Sequence, residues 1–178
     1  MSTRVLITVF VSSLAWVAPQ PAVAQQSTPI TVSFGLTTLR EQGPGDFPAS
    51  VYDTGWMLSG AVPVGLDRLL VAGEYGRNKR LNVIDERQEV TVALVGARYL
   101  LSRSSRVTTF AQGLFGTRRF IEPGFEESGL SIQVGGGVDL ELGKGAGVRA
   151  QADYRRSKEG DATFKDWRLF LGGVYSFR

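Results

Sequence analysis

Asp139 and Glu141, two positions apart and a short stretch before Arg149, Asp153 and Arg155, are the nearest this chain comes to acid-base chemistry. A general acid needs a carboxyl group that keeps its proton, whereas guanidinium neighbours favour the ionised form. The pair therefore reads as ion-pair partners. The chain has no Cys and no His, which removes thiol nucleophiles, Ser-His and Cys-His pairs, disulfides and nearly all transition-metal sites. Gly135-Gly136-Gly137 lies inside an alternating segment and precedes no helix, so it is not a phosphate cradle. Its glycines suit curvature and close strand contact. No enzyme activity, cofactor or bound metal is expected. With 20 basic against 17 acidic residues, the charge is too balanced to argue for nucleic acid.

The elements that must position these residues are strands. From Gly129 to Leu142, Leu130, Ile132, Val134, Gly136, Val138, Leu140 and Leu142 share one face, and Ser131, Gln133, Gly135, Gly137, Asp139 and Glu141 share the other. Strict period two over this length is a strand signal, because no helix would sort the residues this way. Val148 to Arg155 and Trp167 to Phe177 repeat it. Val107 to Phe115 alternates with Phe110, Gln112 and Leu114 on its second face. Further faces are Ile30-Val32-Phe34-Leu36, Trp56-Leu58-Gly60-Val62 and Leu69-Val71-Gly73-Tyr75, the last opposed by Ala72 and Glu74. Glu89 to Leu101 is apolar on both faces for most of its length, so its register is ambiguous. Because a charge in lipid is costly, Ala97 and Tyr99 are placed outward and Arg98 inward. That makes eight strands.

Three further patterns point to a membrane. Met1 to Ala24 has one charge, an apolar run from Val5 to Ala18, Pro19 and Pro21, and Ala22-Val23-Ala24 before Gln25. This reads as a cleaved signal peptide, residues 1–24, too short in its apolar run to be a retained anchor. Residues 25–178 then form one domain. The connections Arg40 to Ser50, Gly76 to Gln88, Thr117 to Ser128 and Ser157 to Lys165 are long, and Pro63 to Asp67, Ser102 to Arg106 and Gly143 to Gly147 are short. An up-and-down antiparallel barrel in an outer membrane has this alternation, with short periplasmic turns and longer external loops. Tyr75, Phe115, Tyr154, Trp56 and Trp167 fall into a band on the loop side, and Tyr99, Tyr175 and Phe177 into one on the turn side. Such girdles mark the headgroup boundaries of a lipid-facing wall. The 22 Gly, none of them before Gln25, recur within these segments.

Val134-Gly135-Gly136-Gly137-Val138-Asp139 and Arg149-Ala150-Gln151-Ala152-Asp153-Tyr154-Arg155 together resemble the penultimate hairpin of the small outer-membrane β-barrel family that includes OmpA-like and opacity-type porin-family proteins. Leu94 to Tyr99 followed by Arg106 to Gln112 resembles the preceding hairpin. Tyr175-Ser176-Phe177 resembles the family's aromatic assembly signal, although Arg178 follows it where members end on the aromatic. The resemblance implies an all-β, eight-stranded antiparallel up-and-down transmembrane β-barrel in the outer membrane, handled by the outer-membrane assembly machinery. Deacylases, palmitoyltransferases and proteases of comparable barrels use a His that this chain lacks.

Eight strands enclose a space that side chains can fill, so a general diffusion pore is not expected. The inward faces carry Glu74, Arg98, Gln112, Asp139, Glu141, Arg149, Gln151, Asp153, Arg155 and Arg168. Confined charges of opposite sign must pair, so these form a structural plug or, alternatively, a narrow solute path. Arg77, Lys79, Arg80, Arg118, Arg119, Arg156 and Lys158 fall at or beyond the outer rim. Of these, Arg118, Arg119 and Arg156 are the candidates for contact with lipopolysaccharide phosphates; the competing reading is loop cations paired with Asp85, Glu86, Glu122, Glu126, Glu127 and Glu159. The expected protein is a monomeric outer-membrane barrel contacting outer-membrane lipid, with a structural, adhesive or surface-interaction role carried by four external loops. The alternative is a soluble secreted or periplasmic barrel holding a small ligand, which would need a second layer to cover the apolar faces.

Overall fold

A computed structural model of the chain describes residues 28–43, 49–81 and 87–177. The expected signal peptide, the start near Gln25, the rim acids Asp85 and Glu86, and Arg178 lie outside the described residues. The strands are β1 (Ile30–Gln42), β2 (Ser50–Pro63), β3 (Leu69–Leu81), β4 (Arg87–Arg103), β5 (Val107–Glu122), β6 (Phe125–Gly143), β7 (Ala146–Glu159) and β8 (Ala162–Phe177). Each pairs antiparallel with the next, and β8 returns to β1. Closure leaves no sheet edge, so the ladder's N–H and C=O groups are paired within the wall and none is presented to hydrocarbon.

The wall is inverted relative to a soluble protein. Along β1, Val32, Phe34 and Leu36 point out while Ser33, Thr37, Leu39 and Glu41 are buried in the lumen. Leu36 is 70% exposed, Ile132 64% and Leu171 62%. Aliphatic exposure on this scale all round a barrel requires lipid as its solvent. The ambiguous β4 takes the expected register: Ala97 and Tyr99 are outside and Arg98, 1% exposed, is inside. The upper girdle is built of touching rings, Trp56 with Tyr75 at 5.6 Å and Tyr154 with Trp167 at 5.2 Å between centroids. On the turn side Tyr175 meets Phe177 edge-on at 4.8 Å.

The loop lengths differ from expectation. Thr117 to Ser128 is strand except for a turn at Pro123-Gly124, and Ser157 to Lys165 is strand except at Gly160-Asp161. Gly124 and Gly160 supply the positive φ, 78° and 53°, that such tight reversals need. β3 likewise runs on to Leu81. Above the girdle the outward positions become polar, so the hydrophobic period ends although the backbone pairing does not. The two fully described external features, β5–β6 and β7–β8, are thus extended hairpins, with β5 continuing seven residues past Phe115, roughly 23 Å along the strand.

The lumen is divided. Leu39, Tyr52, Ala61, Leu70, Ala72, Val90, Val92, Leu94, Leu100, Phe110 and Leu114 form one apolar cluster on β1 to β5. The charged side chains come chiefly from β5 to β8 and reach across to it.

Candidate functional site

Alternation on β5 to β8 sends Gln112, Arg118, Gln133, Arg149, Gln151, Asp153, Arg155, Asp166 and Arg168 into the lumen, all of them buried. Two glycines make the room. A Cβ on Gly135 would strike the Asp153 carboxylate, and one on Gly137 would fall 2.7 Å from the Phe110 ring.

The central junction is Glu74 on β3. Its Oε1 accepts from Gln112 Nε2 at 2.7 Å and Gln151 Nε2 at 2.8 Å, and its Oε2 from Gln133 Nε2 at 2.9 Å and Arg168 Nη2 at 2.5 Å. The donors stand on β5, β7, β6 and β8, so one carboxylate ties β3 to the far wall. Arg168 also donates to Asp153 Oδ2, from Nε at 3.0 Å and from Nη2 at 2.6 Å.

Toward the turn side, Arg149 grips Asp139 with Nε at 2.6 Å and Nη2 at 2.7 Å, and donates from Nη1 to Ser33. Both Asp139 oxygens are thereby occupied. Arg98 donates to Gln112 Oε1 and Ser59 Oγ and lies 4.0 Å from Glu74. Arg98 and Arg149 both stack on Phe110, their Cζ atoms 4.3 and 4.8 Å from its ring centroid. The turn-side mouth holds a cavity of about 50 Å³ lined in part by Arg98, Phe110, Asp139, Glu141 and Arg149. That volume suits a few water molecules.

Toward the hairpins, Arg118 is fully buried and forms ion pairs with Glu41 of β1 and Glu159 of β7, with Asp166 at 3.9 Å. Arg155 lies 3.9 Å from the same Asp166 without a hydrogen bond.

All ten expected lumen residues face the lumen. Asp139 and Glu141 are the partly exposed members at the turn-side mouth. The rim set needs correction. Arg118 does not reach lipopolysaccharide, because it continues the inward parity of Gln112 and Leu114 on a strand that outlasts the bilayer. Arg80 is inward too, bonded to Gln88 and stacked 4.9 Å from the buried Tyr52 ring. Arg119 is exposed but paired with Glu126 at 2.5 Å. Arg156 is exposed on the outer wall. The same parity shows Glu41 and Asp166 to be lumen acids, a signal that the hydrophobic alternation, read to Leu36 and from Trp167, does not reach.

Beside its apolar cluster, the lumen therefore holds a connected network of carboxylates, guanidinium groups and amides. The pairing register and the exposed aliphatic belt leave one architecture that fits. The chain is an eight-stranded outer-membrane β-barrel. Among solved structures it is similar to Neisserial surface protein A, with a TM-score of 0.70 at 13% identity, over 83% of this chain and 97% of the other. It is also similar to Ail, the attachment invasion locus protein of Yersinia pestis, with a TM-score of 0.54 at 18% identity, over 84% and 100%. The N-terminal β-barrel domain of Pseudomonas aeruginosa OprF matches with a TM-score of 0.56 at 12% identity, over 85% and 100%. At these identities the likeness concerns the fold. No protein-family model matches the chain, and no curated protein matches it by sequence.

Proposed function

We propose that this barrel is a closed, monomeric anchor in the outer membrane and that its role, structural, adhesive or another surface interaction, is carried by the external hairpins. The observation that carries this reading is Glu74, whose four hydrogen bonds cross the lumen to β5, β6, β7 and β8. A network so connected offers solutes no continuous path and leaves function to the ends. The β5–β6 hairpin continues past the girdle residue Phe115, and at its tip Phe125, 49% exposed, packs against Phe120 at 6.4 Å. An aromatic surface held away from the bilayer suits contact with another surface. The attachment role named for Ail gives the same direction. Tyr175 and Phe177, exposed at the end of β8, support recognition by the outer-membrane assembly machinery.

The test has two arms. Vesicles containing the folded barrel should swell in small sugars no faster than protein-free vesicles, and cells displaying Phe125→Ser should attach to an animal-cell monolayer less than cells displaying the native chain. Rapid swelling would establish the narrow solute path instead. Equal attachment by both, at equal display, would remove the hairpin from the role. Recovery of the chain in the soluble fraction would overturn the membrane assignment.

A further inference from the structure

We propose that the outer wall of β7, β8 and β1 carries a docking site for the phosphate groups of a phosphorylated saccharolipid of the outer leaflet, the lipopolysaccharide type. The proposal rests on the membrane reading above. Arg156 on β7 stands directly opposite Lys165 on β8. Lys158 is two residues farther along β7, and Arg40 on β1 lies opposite Trp167. All four are exposed on the outer wall. Among the described residues none of the four is in an ion pair. Their own strands do not supply one: Glu159 and Asp166 are buried in the lumen, and Asp161 sits in the turn beyond.

Like charges directly opposite across a strand pair repel. On the other side of the barrel the chain neutralises its rim cations, Arg77 with Glu89 and Arg119 with Glu126. On β7, β8 and β1 it does not. The level fits three of the four. Arg40 is beside the girdle residue Trp167, and Lys165 and Arg156 are each two residues above Trp167 and Tyr154, about 7 Å along the strand. Arg119 is four residues above Phe115, about 13 Å. Arg40, Arg156 and Lys165 therefore stand where the aliphatic wall gives way to headgroups, the level of a lipid's phosphates, which Arg77, opposite Trp56, shares but with Glu89 as its partner; Lys158, four residues above Tyr154, stands farther out. Two guanidinium groups provide bidentate donors and two ammonium groups provide point charges, and an anion between Arg156 and Lys165 turns their repulsion into a shared attraction.

The experiment measures thermal unfolding of the reconstituted barrel by its mobility shift on gels, and the enrichment of fluorescent lipopolysaccharide around it. Bilayers are phosphatidylcholine alone, phosphatidylcholine with lipopolysaccharide, the same with dephosphorylated lipopolysaccharide, and phosphatidylcholine with inorganic phosphate in the buffer. In phosphatidylcholine alone, Arg156→Gln with Lys165→Gln should leave the midpoint unchanged or raise it, because repulsion is relieved. With lipopolysaccharide the same pair should lower the midpoint, and lipid affinity should fall roughly fivefold per cation removed. Arg77→Gln with Arg119→Gln, the same charge loss on the neutralised side, should leave lipid affinity unchanged.

A change of the same sign in both bilayers would overturn the site, as would full affinity for the dephosphorylated lipid or an equal effect of free phosphate. If the native chain does not stay in washed membranes, the membrane reading has failed; if it stays and the sign does not invert, only this site has.

Discussion

Replacing Arg168 by Met removes a cation that hydrogen-bonds both Glu74 and Asp153, while keeping an unbranched side chain in the same space. Arg168 is 1% exposed, and its partners lie at 2.5 and 2.6 Å. Removing one partner of a buried pair costs about 3 to 5 kcal/mol, because the remaining charge is stranded away from water. The structure sets the lower end of that range. Glu74 keeps the amide donors of Gln112, Gln133 and Gln151 and has Arg98 at 4.0 Å, and Asp153 keeps Gln112 and Gln151. At about 3 kcal/mol the unfolding midpoint should fall by about 6 to 12 °C. Heat-modifiability gels in phosphatidylcholine vesicles give that midpoint. Adding Asp153→Asn to Arg168→Met leaves Glu74 and Arg98 as a balanced pair, so the double variant should regain part of the loss and show a coupling between the two sites. If Arg168→Met lowers the midpoint no more than Arg119→Gln on the surface, or if the two substitutions are additive, the lumen is not the coupled network that its distances describe.

Other expectations are smaller in scope. Val134→Arg puts a cation on the lipid face, where Val134 is 54% exposed, and should cost about 2 to 4 kcal/mol in refolding experiments, while Val134→Leu should cost little; equal effects would mean the face is wrongly assigned. Gly137→Val crowds the Phe110 ring and the Ala150 carbonyl and should cost about 1 to 3 kcal/mol by thermal unfolding, whereas Gly113→Val meets open space on the lipid side and should be tolerated. Above the girdle, burial works to raise the Glu89 carboxyl, but the hydrogen bond and charge of Arg77, with Lys79 and Thr91, hold it below its ordinary value of 4.5. A depressed carboxylate stabilises the folded state above that ordinary value and loses its contribution as pH falls through the folded one. Glu89→Gln, at a partly exposed pair, should therefore cost about 0.2 to 1 kcal/mol at pH 7 and nothing in strong acid; a difference that is constant with pH would exclude the ion pair as its source.

The amino-acid order by itself determined the number of strands, their membrane-facing sides and the composition of the lumen. These are local properties. Period two needs only neighbours in the chain, and the cost of a charge in lipid settled even the apolar β4, placing Arg98 inside. Parity also held the answer for Arg118, Glu41 and Asp166, but it could be applied only as far as strands were thought to run. The hairpin ends were hidden because hydrophobic alternation reports where lipid ends, whereas hydrogen bonding decides where a strand ends. Which charges meet was decided by tertiary structure alone. Arg168 and Glu74 are 94 residues apart, and Arg118 and Glu41 are 77. They come together only because β8 closes on β1 in a defined register. The rim cations that find carboxylates, Arg77 with Glu89 and Arg119 with Glu126, do so within single hairpins, whereas those on β7, β8 and β1 are left exposed on the outer wall.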